Sequence, residues 1–370
     1  MNIELSRFAS RLRELIHSGF PIGYFEALAL ELFTLQFEHN GAYRRICKAR
    51  GLSPEKVGLW TQIPAVPTAA FKELNLSGLA PQERTAVFHS SGTTGQTPSR
   101  HYHNAESLAV YEMSLWKWFA HHFGTTGGLV FLTPDAKAAP RSSLAYMFET
   151  VRQKFGAPDS IFVGKTEADG VWTLDFEAAL AALHSSLVTR HSSLLCGTAF
   201  SFVHLLDYLA ENNFQFQLPA GLRVMETGGY KNRSRSMPKS ELHALITKWL
   251  GVPHENIICE YGMSELSSQA YAVTSEKWQV TRDAAPSCHP LPVTRHFQFP
   301  PWARAQIISP ETGRAVSDGK TGLIRVFDLA NVFSVAAIQT EDLAIRRGNG
   351  FELIGRAELA EPRGCSLMSV

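Results

Sequence analysis

With 370 residues, 45% of them hydrophobic, the chain has apolar material for one large or two unequal folded units and lacks the composition of a disordered protein. Thirty-five basic residues against 34 acidic ones leave a formal charge of +1, which excludes the field of a nucleic-acid or anionic-membrane binder. No apolar run approaches the ~18 residues that span a bilayer, and the N-terminal MNIELSRFASRLRELIHSGF mixes charge and apolar residues at helical spacing rather than forming a leader, so a cytoplasmic protein is expected.

Residues 2–50 read as three helices. Leu5, Phe8, Leu12 and Ile16 share one face of the first, and Tyr24 to Phe37 is almost wholly apolar. Ile63 to Lys72 is a connector punctuated by Pro64 and Pro67. Ala86, Val87 and Phe88 form a short β-prone run that enters Ser90-Ser91-Gly92-Thr93-Thr94-Gly95. Glycines there let backbone N–H groups converge, and the hydroxyls add donors, a chemistry suited to polyphosphate. Spacing and the lack of lysine separate it from the GxxxxGK[ST] loop, and a plain Gly/Thr surface loop would read the same way. Asn104 can cap a helix running to about His122.

Strands and helices then alternate: strand 128–133, helix 141–155, strand 160–163, helix 176–188, strand 193–197, helix 199–212, strand 222–226, helix 240–250 and strand 256–261. That order predicts an α/β fold with a doubly wound, mostly parallel sheet. Ligands of such sheets sit beyond the carboxyl ends of strands, where residues 89–94, 227–231 and 260–265 are expected. After about residue 270 the helical periods vanish. Short β-like runs at 303–308, 323–327, 343–346 and 351–354 predict a small β-rich subdomain. The expected division is a helical cover over 1–75, an α/β body over 76–270, the β-rich subdomain over 271–356 and a tail over 357–370.

The five cysteines, Cys47, Cys196, Cys259, Cys288 and Cys365, are widely spaced and contain no CxxC, so neither a disulfide framework nor a zinc site is expected. Cys47, Cys196 and Cys259 read as small core residues. Cys365 differs, because Arg363 nearby favours thiolate and Gly364 leaves the backbone unhindered. A frayed terminus with an incidental thiol is the other reading.

Short fragments spread from 90 to 356 resemble, in order, the adenylate-forming superfamily of acyl-CoA synthetases, firefly luciferase and peptide-synthetase adenylation domains. Residues 90–95 with Pro98 resemble its SSGTTG-x-P phosphate loop. Tyr261-Gly262-Met263-Ser264-Glu265 resembles YGxTE, with serine for threonine. Gly319 to Ile324 and Gln339-Thr340-Glu341-Asp342 resemble the turn and the ribose-binding motif, with Lys320 and Glu341 as departures. Gly355-Arg356 resembles the hinge that closes the large domain.

The resemblance implies ATP and Mg²⁺. Ser90, Ser91, Gly92, Thr93, Thr94 and Gly95 would cradle phosphates, and Gly228, Gly229, Gly262 and Ser264 would line the nucleotide site. Tyr261 would stack on adenine, Asp342 would bind ribose, Arg356 would contact ribose or phosphate, and Glu265 would hold Mg²⁺. An aromatic face suits a purine, and carboxylate oxygen suits a hard cation.

Only 14 residues follow Arg356, so the superfamily's mobile C-terminal domain and its lysine are not expected. Cys365 lies nine positions beyond Arg356, a reach of at most ~30 Å. This layout resembles the acyl-protein synthetase family of LuxE type, over nearly the whole chain, including IPAVPTAAFK, ETGGYK and RGCSL. The family resemblance implies that a fatty acid is activated as acyl-adenylate, passed to Cys365 as a thioester and delivered to an acyl reductase partner. Lys231 is a candidate for the missing positive charge or a solvated loop lysine, with Arg233 and Arg235 behind it. His89 lines the carboxylate site or simply packs. The rivals are a ligase of phenylacetate–CoA type that uses free CoA, and a non-catalytic subunit with a nucleotide fold.

Overall fold

The computed structural model describes residues 2–21, 23–90, 97–124, 127–156, 160–168, 170–189, 194–229, 235, 237–274 and 295–357. Polar caps set the N-terminal helices. Asn2 accepts the N–H groups of Glu4 and Leu5 at the start of the Ile3–His17 helix. Asn40 closes the Tyr24–His39 helix and, through its side chain, opens Gly41–Ala49. Phe8, Leu12 and Phe33 are buried with Val326, Phe327 and Ile338 of the C-terminal strands. Gln36 works as a buried bracket in that layer. Its amide nitrogen donates to the carbonyls of Asn331 and Val332, and its oxygen accepts from the Ala336 N–H.

Among the described residues the principal sheet has twelve strands. Its first half is parallel: Ile161–Phe162, Leu129–Phe131, Leu194–Thr198, Arg223–Thr227 and Ile257–Tyr261, in spatial order. Helices Ala105–Phe123 and Ser143–Phe155 cover one face through Phe119, Phe148 and Phe131. Helices Phe176–Thr189, Ala199–Glu211 and Lys239–Leu250 cover the other through Leu183, Leu206 and Ile246. The sheet is therefore doubly wound, as the alternating pattern predicts. The observed bounds of these elements lie within two residues of the expected ones.

Beyond Tyr261 the same sheet continues antiparallel through Ala270–Thr274, Arg295–Gln298, Gly350–Arg356, Ala337–Arg347, Thr321–Asp328 and Ala303–Ile308. The Pro-punctuated connector supplies a two-residue strand, Val66–Pro67, parallel to Ala337–Arg347. The first two of the antiparallel strands are absent from the sequence reading. Ala270 and Tyr271 are both fully buried, so Ala270–Thr274 lacks the in/out alternation of a half-exposed strand.

One expectation is corrected. The run before the Gly/Thr-rich stretch 90–95 is not a strand of the parallel sheet. Ala86–His89 pairs with Arg100–His103 as a separate antiparallel ribbon, so His89 and Ser90, the described part of 89–94, do not follow a parallel strand. The two strands meet across the loop, which is closed at its base by Ser90 N–H to the Ser99 carbonyl (3.3 Å) and Ser99 N–H to Ser90 Oγ (2.9 Å).

Asp328 ties the two halves together, accepting from Ser267 N–H (2.9 Å), Ser268 Oγ–H (2.7 Å) and Ala330 N–H (3.0 Å) in a fully buried position. Asp328→Ala strands these donors without water. It is expected to lower the unfolding free energy by about 3 kcal/mol, read from urea denaturation.

Candidate active site

Three distant segments converge where the sheet changes from parallel to antiparallel. Register pairs Glu260 with Thr227, so the turns after both strands, at Gly228-Gly229 and Gly262, lie side by side. Gly228 takes φ +72°, a left-handed turn that a side chain would strain. At Gly262 the constraint is space, since a Cβ would come within 2.4 Å of Glu260 Oε1.

Glu265, only 1% exposed, receives Ser99 Oγ–H on Oε1 at 2.8 Å and Ser264 Oγ–H on Oε2 at 3.0 Å. Its backbone carbonyl accepts from Asn331 Nδ2 at 2.9 Å. Ser99 thus links Ser90 and Glu265: its N–H donates to Ser90 Oγ, and its hydroxyl donates to the carboxylate of Glu265, 166 residues away. Tyr261 donates its hydroxyl to Asp342 Oδ2 at 2.8 Å, and its ring makes edge contacts with Phe297, Phe299 and Phe351. Asp342 faces Arg356 across the Ala337–Arg347 and Gly350–Arg356 pair. The Arg356 guanidinium pairs with Glu341, while its Nε lies 4.0 Å from Asp342 Oδ1. Nε and Nη1 of Arg356 are buried and find no hydrogen-bond acceptor among the described residues.

Ser90, Gly228, Gly229, Tyr261, Gly262, Ser264, Glu265, Asp342 and Arg356 are thus placed around one junction. Ser91, Gly92, Thr93, Thr94 and Gly95, with Lys231, Arg233 and Cys365, lie outside the described residues. Arg235 pairs with Asp207 at 2.9 Å. His89 is half-buried, and desolvation, with Arg141 and Arg100 nearby, lowers its pKa.

Two histidines absent from the sequence reading join the site. His101 and His103 are buried with ring centroids 4.2 Å apart. His101 Nδ1–H donates to the Ser264 carbonyl at 2.9 Å, and burial lowers its pKa to about 4, so the ring is neutral. The signal for them is the alternation in Arg100-His101-Tyr102-His103, in which the histidines take the buried positions.

Glu260 is fully enclosed on the opposite face from Glu226 and accepts the Thr227 hydroxyl. Desolvation raises its carboxyl pKa to about 7, and the Thr227 bond and Lys239 offset only part of that. A raised acid pKa means that the folded state holds the proton while the unfolded chain has lost it. Wild type should therefore lose stability relative to Glu260→Gln as pH rises from about 4.5 to about 7. The difference is on the order of 3 kcal/mol and constant above that window. Denaturation midpoints of both proteins across that range check it.

The donor set at Glu265 fits Mg²⁺. It presents two hard carboxylate oxygens, oriented by the hydroxyls of Ser99 and Ser264.

The fold is shared with solved structures of 2-hydroxyisobutyryl-CoA ligase. One, in the postadenylation state with 2-HIB-AMP, matches with a TM-score of 0.61 at 14% identity, over 95% of this chain and 67% of that one. An open conformation of the same ligase, with 2-HIB-AMP and CoA, gives 0.61 at 14%, over 91% and 76%. The chain thus has the α/β fold of the adenylate-forming ligases. Within that class, the family model described as "Acyl-protein synthetase, LuxE" matches residues 22–369, and the chain belongs to that ligase family. Relatives named long-chain-fatty-acid–luciferin-component ligase include one from Aliivibrio fischeri, 24% identical over 364 residues (92% of this chain, 86% of that one). Another, from Vibrio harveyi, is 25% identical over 350 residues (90% and 84%).

Proposed function

We propose that this chain is an ATP-dependent acyl-protein synthetase that activates a fatty acid as acyl-adenylate and then carries the acyl group on Cys365 for an acyl reductase. The observation that carries the reading is the junction itself. The base of a hydroxyl-rich loop is bonded to Glu265, and Tyr261 is bonded to Asp342, where the superfamily's phosphate-loop, YGxTE and ribose-binding fragments would have to meet. Family membership and the names of the two bacterial relatives support fatty acid as the substrate class.

In this reading a carboxylate oxygen attacks the α-phosphorus of ATP. The bond to the bridging oxygen breaks, and pyrophosphate leaves. Glu265 would hold Mg²⁺, whose positive charge neutralises phosphate oxygens. Ser90 and Ser99 set the span of the loop, whose residues 91–95 are the proposed phosphate donors. Asp342 would accept from ribose hydroxyls, with Tyr261 orienting it. Arg356 would offer its buried Nε–H and Nη1–H groups, which find no acceptor among the described residues, to ribose or phosphate. Lys231 is the proposed cation at the reacting phosphate. Catalysis rests on positioning and charge neutralisation. The Cys365 thiolate then attacks the acyl carbon, and AMP departs with the electron pair of the broken acyl–phosphate bond. The division at 1–75, 76–270, 271–356 and 357–370 is proposed as cover, nucleotide-binding body, β-rich subdomain and acyl-carrying tail. Among the described residues no helix is long and apolar enough to cross a membrane.

ATP–pyrophosphate exchange tests the first step. Exchange should depend on both fatty acid and Mg²⁺. Its absence with fatty acids of every chain length tried would favour the non-catalytic binding subunit.

A further inference from the structure

Behind the nucleotide junction, on the other side of the sheet, lies a cluster that the proposed reaction does not use. Glu226 and Cys259 are direct partners in adjacent parallel strands, so both side chains leave the same face. The Lys239–Leu250 helix covers that face and brings His243 between them. His243 Nε2 is 3.6 Å from Glu226 Oε2 and 3.6 Å from Cys259 Sγ. All three donor atoms lie within 4.8 Å of one another, and all three residues are buried.

The hydrogen-bond accounting is incomplete. Neither Glu226 oxygen accepts a hydrogen bond from the described residues, although the side chain is 0% exposed. One imidazole nitrogen carries at most one proton and cannot serve both a carboxylate and a thiol. A cation between the three atoms satisfies all of them. Bonds of ~2.0–2.3 Å around tetrahedral zinc place neighbouring ligand atoms roughly 3.3–3.6 Å apart, close to the two measured edges.

We propose that Glu226, His243 and Cys259 form a binding site for one divalent transition-metal ion of the zinc type, with a fourth position open toward Lys239. Cys259 binds as thiolate and releases its proton to solvent as the ion enters. Thiolate and imidazole select a softer ion than the all-oxygen chemistry at Glu265, so the two sites do not compete for one metal. The ion ties the carboxyl ends of two strands to a helix directly beneath the Gly228-Gly229 turn. Its role is to hold that turn. Lys239 Nζ, now 3.3 Å from Glu226 Oε2 and 5.4 Å from the centre of the Phe297 ring, belongs to a side chain 24% exposed. It moves outward on metal entry. The opposing view is that Lys239 is the permanent counter-ion and no metal binds.

Full-length protein stripped of metal and titrated with Co²⁺ decides between them. We expect one ion per chain, a thiolate-to-cobalt charge-transfer band, and displacement of that band by Zn²⁺. X-ray absorption of the zinc form should show one sulfur ligand. Cys259→Ser should remove the band and weaken binding at least ~10²-fold, more than loss of an outer-sphere partner does. Cys288→Ser and Cys365→Ser should keep the band, and Lys239→Met should bind as tightly as wild type or more so. The proposal is overturned if wild type gives no thiolate band, if the band survives Cys259→Ser, or if metal binds only to Lys239→Met. Should Cys259→Ser fail to fold, the wild-type cobalt spectrum and sulfur count settle the matter without it.

Discussion

Glu265→Gln is expected to reduce fatty-acid-dependent ATP–pyrophosphate exchange at least ~10²-fold, as removal of a charge that positions a reacting phosphate does. The substitution keeps volume and removes only charge and one acceptor. Ser99 and Ser264 each donate to one carboxylate oxygen, and either hydroxyl can rotate to accept from the new amide. The fold should therefore lose little, and thermal denaturation would show whether it does. A deficit through the metal has its own mark, because the Mg²⁺ concentration for half-maximal exchange should rise while fatty-acid saturation changes little. Exchange that survives intact would remove Glu265 from the metal site and leave it as a bracket for Ser99.

Cys365→Ser should separate the two half-reactions, leaving exchange near the wild-type rate while abolishing stable labelling of the protein by radioactive fatty acid. Burial narrows the choice of acceptor. Cys47, Cys196 and Cys259 are all buried, and desolvation raises Cys47 to about 11 and pushes Cys196 well above the ordinary thiol value. Thiols so enclosed are poor nucleophiles. Of the five cysteines only Cys288 and Cys365, both outside the described residues, are left as candidates. Wild-type label should be released by neutral hydroxylamine and map to the C-terminal peptide. A hydroxylamine-labile label on Cys365→Ser would move the acceptor to Cys288 or to another protein. Transfer to free CoA at a comparable rate would instead revive the CoA-ligase reading.

Much of the parallel half was legible because its helices carry apolar residues at helical spacing and its strands are short apolar runs between them. The Arg100–His103 strand was not, since Arg, His and Tyr are polar by type and only their alternation marks a strand. Ala337–Arg347 was read short for a similar reason. Its Gln339-Thr340-Glu341-Asp342 stretch looks like a loop, yet burial alternates along it and Asp342 is paired within the sheet. The superfamily-like fragments could be found because each is a contiguous string. Glu226, His243 and Cys259 have no such string. Strand register and helix docking bring them together, and no metal-ligand spacing in the chain announces them.

The Gln36 bracket bears on how the chain is made. Its acceptors at Asn331 and Val332 lie 295 and 296 residues downstream, so the helical layer leaves the ribosome long before its partner strands exist. At ~5–20 residues per second, the apolar faces around Phe8, Leu12 and Phe33 wait on the order of tens of seconds for cover. During that interval the nascent N-terminus exposes apolar surface of the kind that aggregates when left uncovered, a hazard set by chain connectivity rather than by final stability.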